Sequence, residues 1–226
     1  MRRILFVLLV LAPIDRTFAQ ISAQASIASD YVYRGVSLTQ GRPVAALEVG
    51  YDSPSGWFAG ALATATHLYG QKNYEPEYVL DLGYAHTLTP GLTWEVGATR
   101  SIFASYAFWN YSEAFVGLLG ERWNARIYYA SDYFGRGRQS WYGEFNYAQP
   151  LDEHWRFLAH AGMVQATKSA SNPHSQVLDA SIGLAARFGA TSFAIKRSAL
   201  NHDNYLYSSV STAEPGTWVV SLAYSY

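Results

Sequence analysis

The chain has 226 residues and a formal net charge of -1; 50% of its residues are hydrophobic, 16% aromatic and 15% charged. The sequence contains no cysteine, which excludes a disulfide scaffold and thiolate metal sites, and its near-neutral charge excludes an electrostatic nucleic-acid binder. Low charge, many aromatic residues and finely interleaved polar and apolar positions favour a β-protein that faces lipid over a soluble enzyme.

The N-terminal segment has the pattern of a secretory signal peptide. Arg2 and Arg3 precede an apolar run at residues 4–13, and Ala19 ends a Thr-Phe-Ala sequence of the kind that signal peptidases cleave. The apolar run is too short to cross a bilayer as a helix, which takes about 20 residues. We therefore predict a cleaved signal peptide at residues 1–19 and one β-barrel domain at residues 20–226.

Beyond the signal peptide, apolar and polar residues alternate with a period of two, which is typical of strands with one apolar face. In the last segment, for example, Trp218, Val220, Leu222 and Tyr224 alternate with residues that are mostly small or polar. The alternation predicts strands at residues 22–34, 43–52, 56–67, 76–87, 91–103, 110–120, 122–132, 139–149, 154–165, 176–187, 190–200 and 216–226.

The connections between these twelve predicted strands alternate in length. Short turns rich in Gly, Pro and Ser alternate with mostly longer connections, and outer-membrane barrels show this pattern of periplasmic turns and extracellular loops. An even strand count places both termini on the periplasmic side. The predicted fold is therefore an all-β, transmembrane antiparallel barrel in the outer membrane, surrounded by lipid and lipopolysaccharide.

A soluble β-sandwich or lipocalin-like barrel is the alternative fold, and it would turn the apolar faces inward. The many charges on the polar faces disfavour it, because a packed core cannot hold unpaired charges. Aromatic residues such as Trp57, Trp94 and Trp141 also lie near strand ends, as they do in the interfacial girdles of membrane barrels.

Three segments carry a resemblance to a known family. The first is SDYVYRGVS at residues 29–37, followed by Gly41-Arg42-Pro43; the others are GWFAG at residues 56–60 and SDYFG at residues 131–135. With these segments the predicted barrel resembles the TorF-type porins of Gram-negative bacteria. The resemblance implies an outer-membrane β-barrel with a pore role and brings no substrate or catalytic residue with it.

The Ser-Asp-Tyr sequence occurs twice, about half the barrel apart. Asp30, with Arg34 close behind it, and Asp132 each lie where a predicted strand meets a long loop, on strands one and seven of twelve. Strands six positions apart in a ring of twelve lie on opposite walls. The repetition fits a paired structural device or a relic of duplication, and chance also accounts for so short a match.

Successive side chains of a strand point to opposite faces, and this alternation predicts two charged walls inside the barrel. The inward positions of the first six strands include Glu48, Asp81, Glu95 and Glu113, and those of the last six include Arg126, Arg156, Arg187 and Lys196. Asp30, Arg34, Asp132, Glu144, Asp179 and His160 are also predicted to point inward. Rings of charged side chains set ion selectivity in narrow pores, so these walls predict a weakly cation-leaning channel for small solutes or ions.

A second interpretation of these charges is that they pair across a narrow interior and close it. Small barrels are filled by side chains and only large ones leave a wide channel. Twelve strands fall between these limits, so a closed barrel with a structural or surface-recognition role remains the alternative function.

Enzymatic patterns are weak. Only His174-Ser175 places a serine beside a histidine, and the sequence has neither a Gly-x-Ser-x-Gly elbow nor a His-Glu-x-x-His motif. His202 alone among amides is a poor metal ligand set, and Arg136 and Arg138 are loop charges suited to lipopolysaccharide phosphates or to solvent. We predict no enzymatic activity, no cofactor and no metal; an outer-membrane lipid hydrolase is the less favoured alternative.

Overall fold

The computed structural model describes residues 20–68, 70–167, 176–201 and 216–226. In these ranges twelve antiparallel strands form a closed barrel, and two further strands form a separate hairpin. The predicted fold class is confirmed. The strands are β1 (Gln20–Ala28), β2 (Val32–Tyr33), β3 (Val36–Ser37), β4 (Val44–Asp52), β5 (Trp57–Thr66), β6 (Glu75–Thr89), β7 (Leu92–Phe103), β8 (Tyr111–Leu119), β9 (Trp123–Ala130), β10 (Ser140–Pro150), β11 (Trp155–Ala166), β12 (Gln176–Phe188), β13 (Thr191–Leu200) and β14 (Trp218–Ser225).

Each barrel strand pairs with its neighbours along the chain, and the ring closes where β1 pairs with both β4 and β14. Short turns join the strands at one end of the barrel, which we call the short-turn end. Strand β1 begins at this end and β14 finishes there. The opposite end, here the long-loop end, carries the longer connections. Two short 3-10 helices, Ala107–Trp109 and Tyr133–Gly135, lie in these connections.

The outward face of the barrel is apolar. Side chains such as Leu47, Leu82 and Ile182 are more than half exposed, while their sequence neighbours point inward. Aromatic pairs lie at both ends of this face, for example Trp57 with Tyr84 near the short turns. This is the surface that a bilayer requires, with an apolar band between aromatic girdles. Among the described residues, no helix is long and apolar enough to cross a membrane.

The main difference from the predicted strands is at the beginning of the barrel. The first strand was predicted to run to residue 34, but β1 ends at Ala28, and the chain then folds into the barrel as the β2–β3 hairpin. The hairpin turns at Arg34 and Gly35, which both have positive φ angles of 48° and 77°. Two central residues with positive φ are typical of a tight type I′ hairpin turn.

Inward glycines make room for aromatic rings. A Cβ on Gly83 would overlap the ring of Phe58, and one on Gly97 would overlap the ring of Phe115. Gly83 and Gly97, each two residues after an inward carboxylate, therefore accommodate phenyl rings that fill part of the interior. The predicted signal peptide, His174-Ser175 and His202 lie outside the described residues.

Candidate functional site

The segment after β1 is organised by one carboxylate. Asp30 Oδ1 accepts hydrogen bonds from the hydroxyls of Ser37, at 2.6 Å, and Thr39, at 2.7 Å. The backbone N–H of Tyr31 donates to Thr39 Oγ1, and that of Leu38 donates to the carbonyl oxygen of Tyr31. These contacts fold residues 29–39 into a compact unit, which we call the inward hairpin.

Arg34, at the tip of the inward hairpin, is held by the barrel wall. Its Nη1 and Nη2 donate to Glu113 Oε1 and Oε2 at 3.0 and 2.7 Å, and Nη1 also donates to the hydroxyl of Tyr133 at 3.1 Å. The guanidinium carbon lies 4.0 Å from the ring centre of Tyr142 and 5.2 Å from that of Tyr128. The Arg34 side chain has no solvent exposure, so a bidentate ion pair is enclosed by aromatic rings.

The inward hairpin also contacts the walls on either side of the barrel. A Cβ on Gly35 would lie 2.7 Å from Cβ of Asp179 on β12 and 2.7 Å from Cδ1 of Leu200 on β13. On the other side, the N–H of His67 donates to the carbonyl oxygen of Leu38 at 2.8 Å. The hairpin thus spans the lumen in the half of the barrel nearer the long-loop end.

The described residues enclose at least two cavities inside the barrel. The larger, of about 220 Å³, extends from Gly120 and Arg122 at the short-turn end to Arg34 and Gly35. The smaller, of about 60 Å³, lies beside Asp81. Residues that border both cavities are Tyr31, Glu48, Leu62 and Arg126.

The structure places the four residues of the predicted acidic wall inside the barrel. Asp81, Glu95 and Glu113 are buried, and Glu48 lies between the two cavities. Basic side chains pair with this wall, because Glu113 pairs with Arg34 and Glu95 accepts from Arg126 Nε at 2.6 Å. The acidic side of the interior is therefore partly neutralised within the barrel.

The residues of the predicted basic wall lie at different depths. Lys196 lines the larger cavity, and Arg126 borders both cavities next to Glu95. Arg156 lies on β11 one residue from its start, and Arg187 Nε donates to the carbonyl oxygen of Gly189 in the adjoining turn. Neither Arg156 nor Arg187 is among the residues that line the two cavities.

Asp132 does not point into the lumen, which corrects the parity prediction. Strand β9 ends at Ala130, so Asp132 lies in the connection, is exposed, and accepts from the N–H of Gly137 at 2.5 Å. The next two residues, Tyr133 and Phe134, turn inward and are buried.

The two Ser-Asp-Tyr segments share one architectural role. In each of them the aspartate accepts hydrogen bonds from the turn that follows, and the segment then sends aromatic residues into the lumen. The segments meet there, because Arg34 donates to the Tyr133 hydroxyl and the rings of Tyr33 and Phe134 are 6.4 Å apart. The repeated sequence therefore builds both sides of one interior contact.

Sequence reasoning missed several interior residues, and three of them lie close to the inward hairpin. Glu77, buried beside Tyr31, has the same strand parity as Asp81, four residues further on. Tyr128 and Tyr142 face each other across β9 and β10 and are fully buried. Alternation from Arg126 would have placed Tyr128 inward. Aromatic residues of a membrane barrel are expected to face lipid, however, and for this reason the aromatic residues of the lumen were not predicted.

His160 contacts polar side chains of the two neighbouring strands. Its Nε2 lies 2.7 Å from Asp179 Oδ1 and its Nδ1 lies 2.7 Å from Asn146 Oδ1. Over the ranges described, no three His, Asp or Glu side chains converge as a metal-binding group. The candidate site is thus the lumen itself, which consists of the inward hairpin, the charged wall around it and the larger cavity.

Comparison with known proteins gives one family match and several similar folds. A family model described as "Bacterial protein of unknown function (Gcw_chp)" matches residues 16–226. The barrel is similar to the NanC porin, with a TM-score of 0.57 and 13% identity over 91% of this chain and 99% of that one.

The KdgM porin has a similar fold, with a TM-score of 0.55 and 9% identity over 91% of this chain and 98% of that one. The same porin in complex with disordered oligogalacturonate gives a TM-score of 0.51 at 10% identity over 91% and 98% of the two chains. None of the curated proteins matches the sequence. At these identities the similarity concerns the fold.

Proposed function

The chain belongs to the Gcw_chp family of bacterial proteins of unknown function, and on that premise we propose that it is a porin-like channel of the outer membrane for small solutes or ions. The observation that carries the proposal is the polar lining of a closed barrel whose outer surface is apolar. Buried Glu, Asp, Arg and Ser side chains project from the wall toward the interior, where a channel would hold water. The fold shared with two porins supports the same function.

The described conformation is a closed state of this channel. The inward hairpin spans the lumen in the half nearer the long-loop end, and the wall behind it carries buried polar side chains, namely Glu77, Glu113, Tyr128, Glu144 and Asp179. A permanently packed interior favours apolar side chains, because each buried polar group needs a partner. Several of these carboxylates keep one oxygen without a hydrogen-bond partner among the described residues, including Glu77 Oε2, Glu144 Oε2 and Asp179 Oδ2. This is the wall of a channel that is hydrated when the hairpin moves away.

The finer assignments extend this proposal. We place the short turns and both termini in the periplasm and the long loops toward lipopolysaccharide. We also assign the channel a weak preference for cations, because carboxylates such as Glu48 and Asp81 line its cavities. The resemblance to TorF-type porins agrees with this function, and no catalytic role is assigned to His160 and Asp179.

The second candidate is a barrel that stays closed and serves a structural or surface-recognition role. The observation in its favour is the complete burial of Arg34 against Glu113, because an enclosed bidentate pair holds the inward hairpin firmly in place. The two candidates differ in one property, which is whether the hairpin leaves the lumen while the barrel remains folded.

Conductance of the refolded mature protein in a planar bilayer tests the proposal. The sequence has no cysteine, so Leu38→Cys and His67→Cys can be introduced together to tie the hairpin to the wall where their backbones are hydrogen-bonded. We expect discrete conductance steps from the wild type and from the reduced double variant. Oxidation should abolish the steps, and the two single-cysteine variants are the controls. If neither a demonstrably folded wild-type barrel nor the reduced variant gives conductance steps, the result would favour the barrel that stays closed.

A further inference from the structure

We propose that the barrel wall carries a binding site for a guanidinium group, which Arg34 fills in the closed state and which a small solute bearing a guanidinium group fills in its place. The inference rests on the proposed channel function and names the class of solute to which the channel responds. We infer the site from the parts of the barrel that carry the groups in contact with Arg34.

Most of the groups around the Arg34 guanidinium belong to the wall and its loops. Glu113 is on β8, Tyr128 on β9 and Tyr142 on β10, and Tyr133 is in the short 3-10 helix of the connection after β9. Of the four rings that surround the guanidinium among the described residues, Tyr33 belongs to the inward hairpin. If the hairpin moves out, a carboxylate and three tyrosine rings remain in place as an empty cation site.

The geometry of the site selects guanidinium over ammonium. Glu113 accepts two parallel hydrogen bonds from Nη1 and Nη2, an arrangement that fits a planar fork and that an ammonium group cannot reproduce. The Tyr142 ring centre lies 4.0 Å from the guanidinium carbon, and the Tyr133 hydroxyl accepts a third hydrogen bond. A flat, delocalised cation satisfies all these contacts at once.

Arg34 is an imperfect occupant of this site. Its backbone has a φ of 48°, in the left-handed region that a non-glycine residue rarely adopts, and its Nε is buried without a hydrogen-bond partner among the described residues. A free solute has neither constraint. The larger cavity provides the path, because it extends from the short-turn end to Arg34 itself.

The site can be tested with the Arg34→Ala variant, which removes the native occupant and leaves the wall residues in place. Isothermal titration calorimetry on the folded barrel would compare ethylguanidinium with ethylammonium, two ions of equal charge. We expect ethylguanidinium to bind about tenfold more tightly, because it gains at least one further hydrogen bond to a charged group. Adding Glu113→Gln to the variant should abolish the difference. Equal binding of the two ions by Arg34→Ala would overturn the proposal.

A second measurement tests exchange in the native protein. In planar bilayers, ethylguanidinium at the short-turn side of the wild type should raise the fraction of time in the open state, and ethylammonium should leave it unchanged. Ethylguanidinium could bind to Arg34→Ala and yet leave the open fraction of a conducting wild type unchanged. That result would overturn the proposed displacement of Arg34 by the solute. A wild type that never conducts would refute the channel function, while the calorimetry would still decide the site. If Arg34→Ala does not fold, Arg34→Asn, a shorter and uncharged side chain that tolerates the positive φ at this position, takes its place in the titration.

Discussion

The guanidinium of Arg34 and the carboxylate of Glu113 form a bidentate pair across the interior of the barrel, although they are 79 residues apart in the chain. Arg34 belongs to the inward hairpin between β1 and β4, and Glu113 projects from β8. This pair ties the hairpin to a distant wall. It is therefore the contact whose loss should affect closure of the lumen most directly.

Glu113→Gln should release the inward hairpin. The substitution leaves the buried Arg34 charge without its carboxylate, which typically costs about 3–5 kcal/mol in the free energy of unfolding. Part of this cost is avoided if the hairpin leaves the lumen, so we expect larger and more frequent conductance steps than in the wild type. Glu121→Gln, which changes an exposed carboxylate at a short turn, is the control and should behave as the wild type does. Identical conductance for Glu113→Gln and wild type would contradict the assignment of this pair as the closing contact.

Gly35→Ala and Gly41→Ala form a matched pair. Both glycines have similar positive φ angles, 77° and 71°, so each alanine carries a backbone cost of about 1–2 kcal/mol. A Cβ at position 35 would also lie 2.7 Å from Asp179 and Leu200, whereas nothing lies within 4 Å of a Cβ at position 41. We expect Gly35→Ala to undock the hairpin tip and increase conductance, and Gly41→Ala to leave conductance unchanged. Equal changes in conductance for the two variants would show that packing of the hairpin tip against Asp179 and Leu200 is not needed to close the lumen.

Asp30→Asn and Asp132→Asn compare the two Ser-Asp-Tyr segments. The Asp30 carboxylate is buried and accepts two hydroxyl donors, so its neutralisation weakens two charge-assisted hydrogen bonds by about 1–3 kcal/mol in total. Asp132 is exposed and accepts one backbone donor. Thermal unfolding of the detergent-folded barrel should show the larger loss for Asp30→Asn, and only that variant should also change conductance. A larger loss for Asp132→Asn would refute the central role of the inward hairpin.

Glu48→Gln and Lys196→Gln should shift ion selectivity in opposite directions. Both residues line the larger cavity, and they carry opposite charges. The reversal potential in a salt gradient should move toward anions for Glu48→Gln, further when it is combined with Glu95→Gln, and toward cations for Lys196→Gln, because charged side chains along a narrow path determine which ion enters. Reversal potentials equal to that of the wild type for both single variants would show that ions take another path.

Ile182→Arg should destabilise the barrel in a bilayer. Ile182 lies in the middle of β12, faces outward and is 59% exposed, so an arginine there would meet hydrocarbon at a cost of about 2–4 kcal/mol. Phe188→Arg, at the end of the same strand, should cost only about 0–1 kcal/mol because its charge reaches the interface. The measurement is the free energy of unfolding in lipid vesicles. Equal costs at the two positions would argue against a membrane-spanning outer face.

The barrel itself could be predicted from the sequence because every strand repeats the same local rule. Alternation fixes which side chains share a face, and glycine, proline and serine mark the turns, so neither feature depends on distant parts of the chain. Strand boundaries such as those of β4, β7 and β13 follow directly from this pattern. The inward positions of Glu48 and Asp81 follow from the same parity.

The inward hairpin could not be predicted in the same way. Residues 29–34 alternate well enough to continue the first strand, and what turns them inward is a side-chain contact between Asp30 and hydroxyls seven and nine residues later. The partner of Arg34 is still further away in sequence. Pairings such as Glu95 with Arg126 likewise depend on how neighbouring strands are staggered, which a pattern within one strand does not contain.

The position of the inward hairpin between the first two barrel strands has a consequence for how the protein assembles. Glu113, Tyr142 and Asp179, which contact the hairpin, all lie in later strands, and β1 must also find β14 at the far end of the chain before the ring is complete. Contacts between such remote segments form late, because ordering the long intervening chain is entropically costly. Ser29, at the root of the hairpin, exchanges hydrogen bonds with Val220 at this β1–β14 seam. Because Ser29 links the seam to the hairpin, we expect that sealing the seam and seating the hairpin are coupled late steps of assembly.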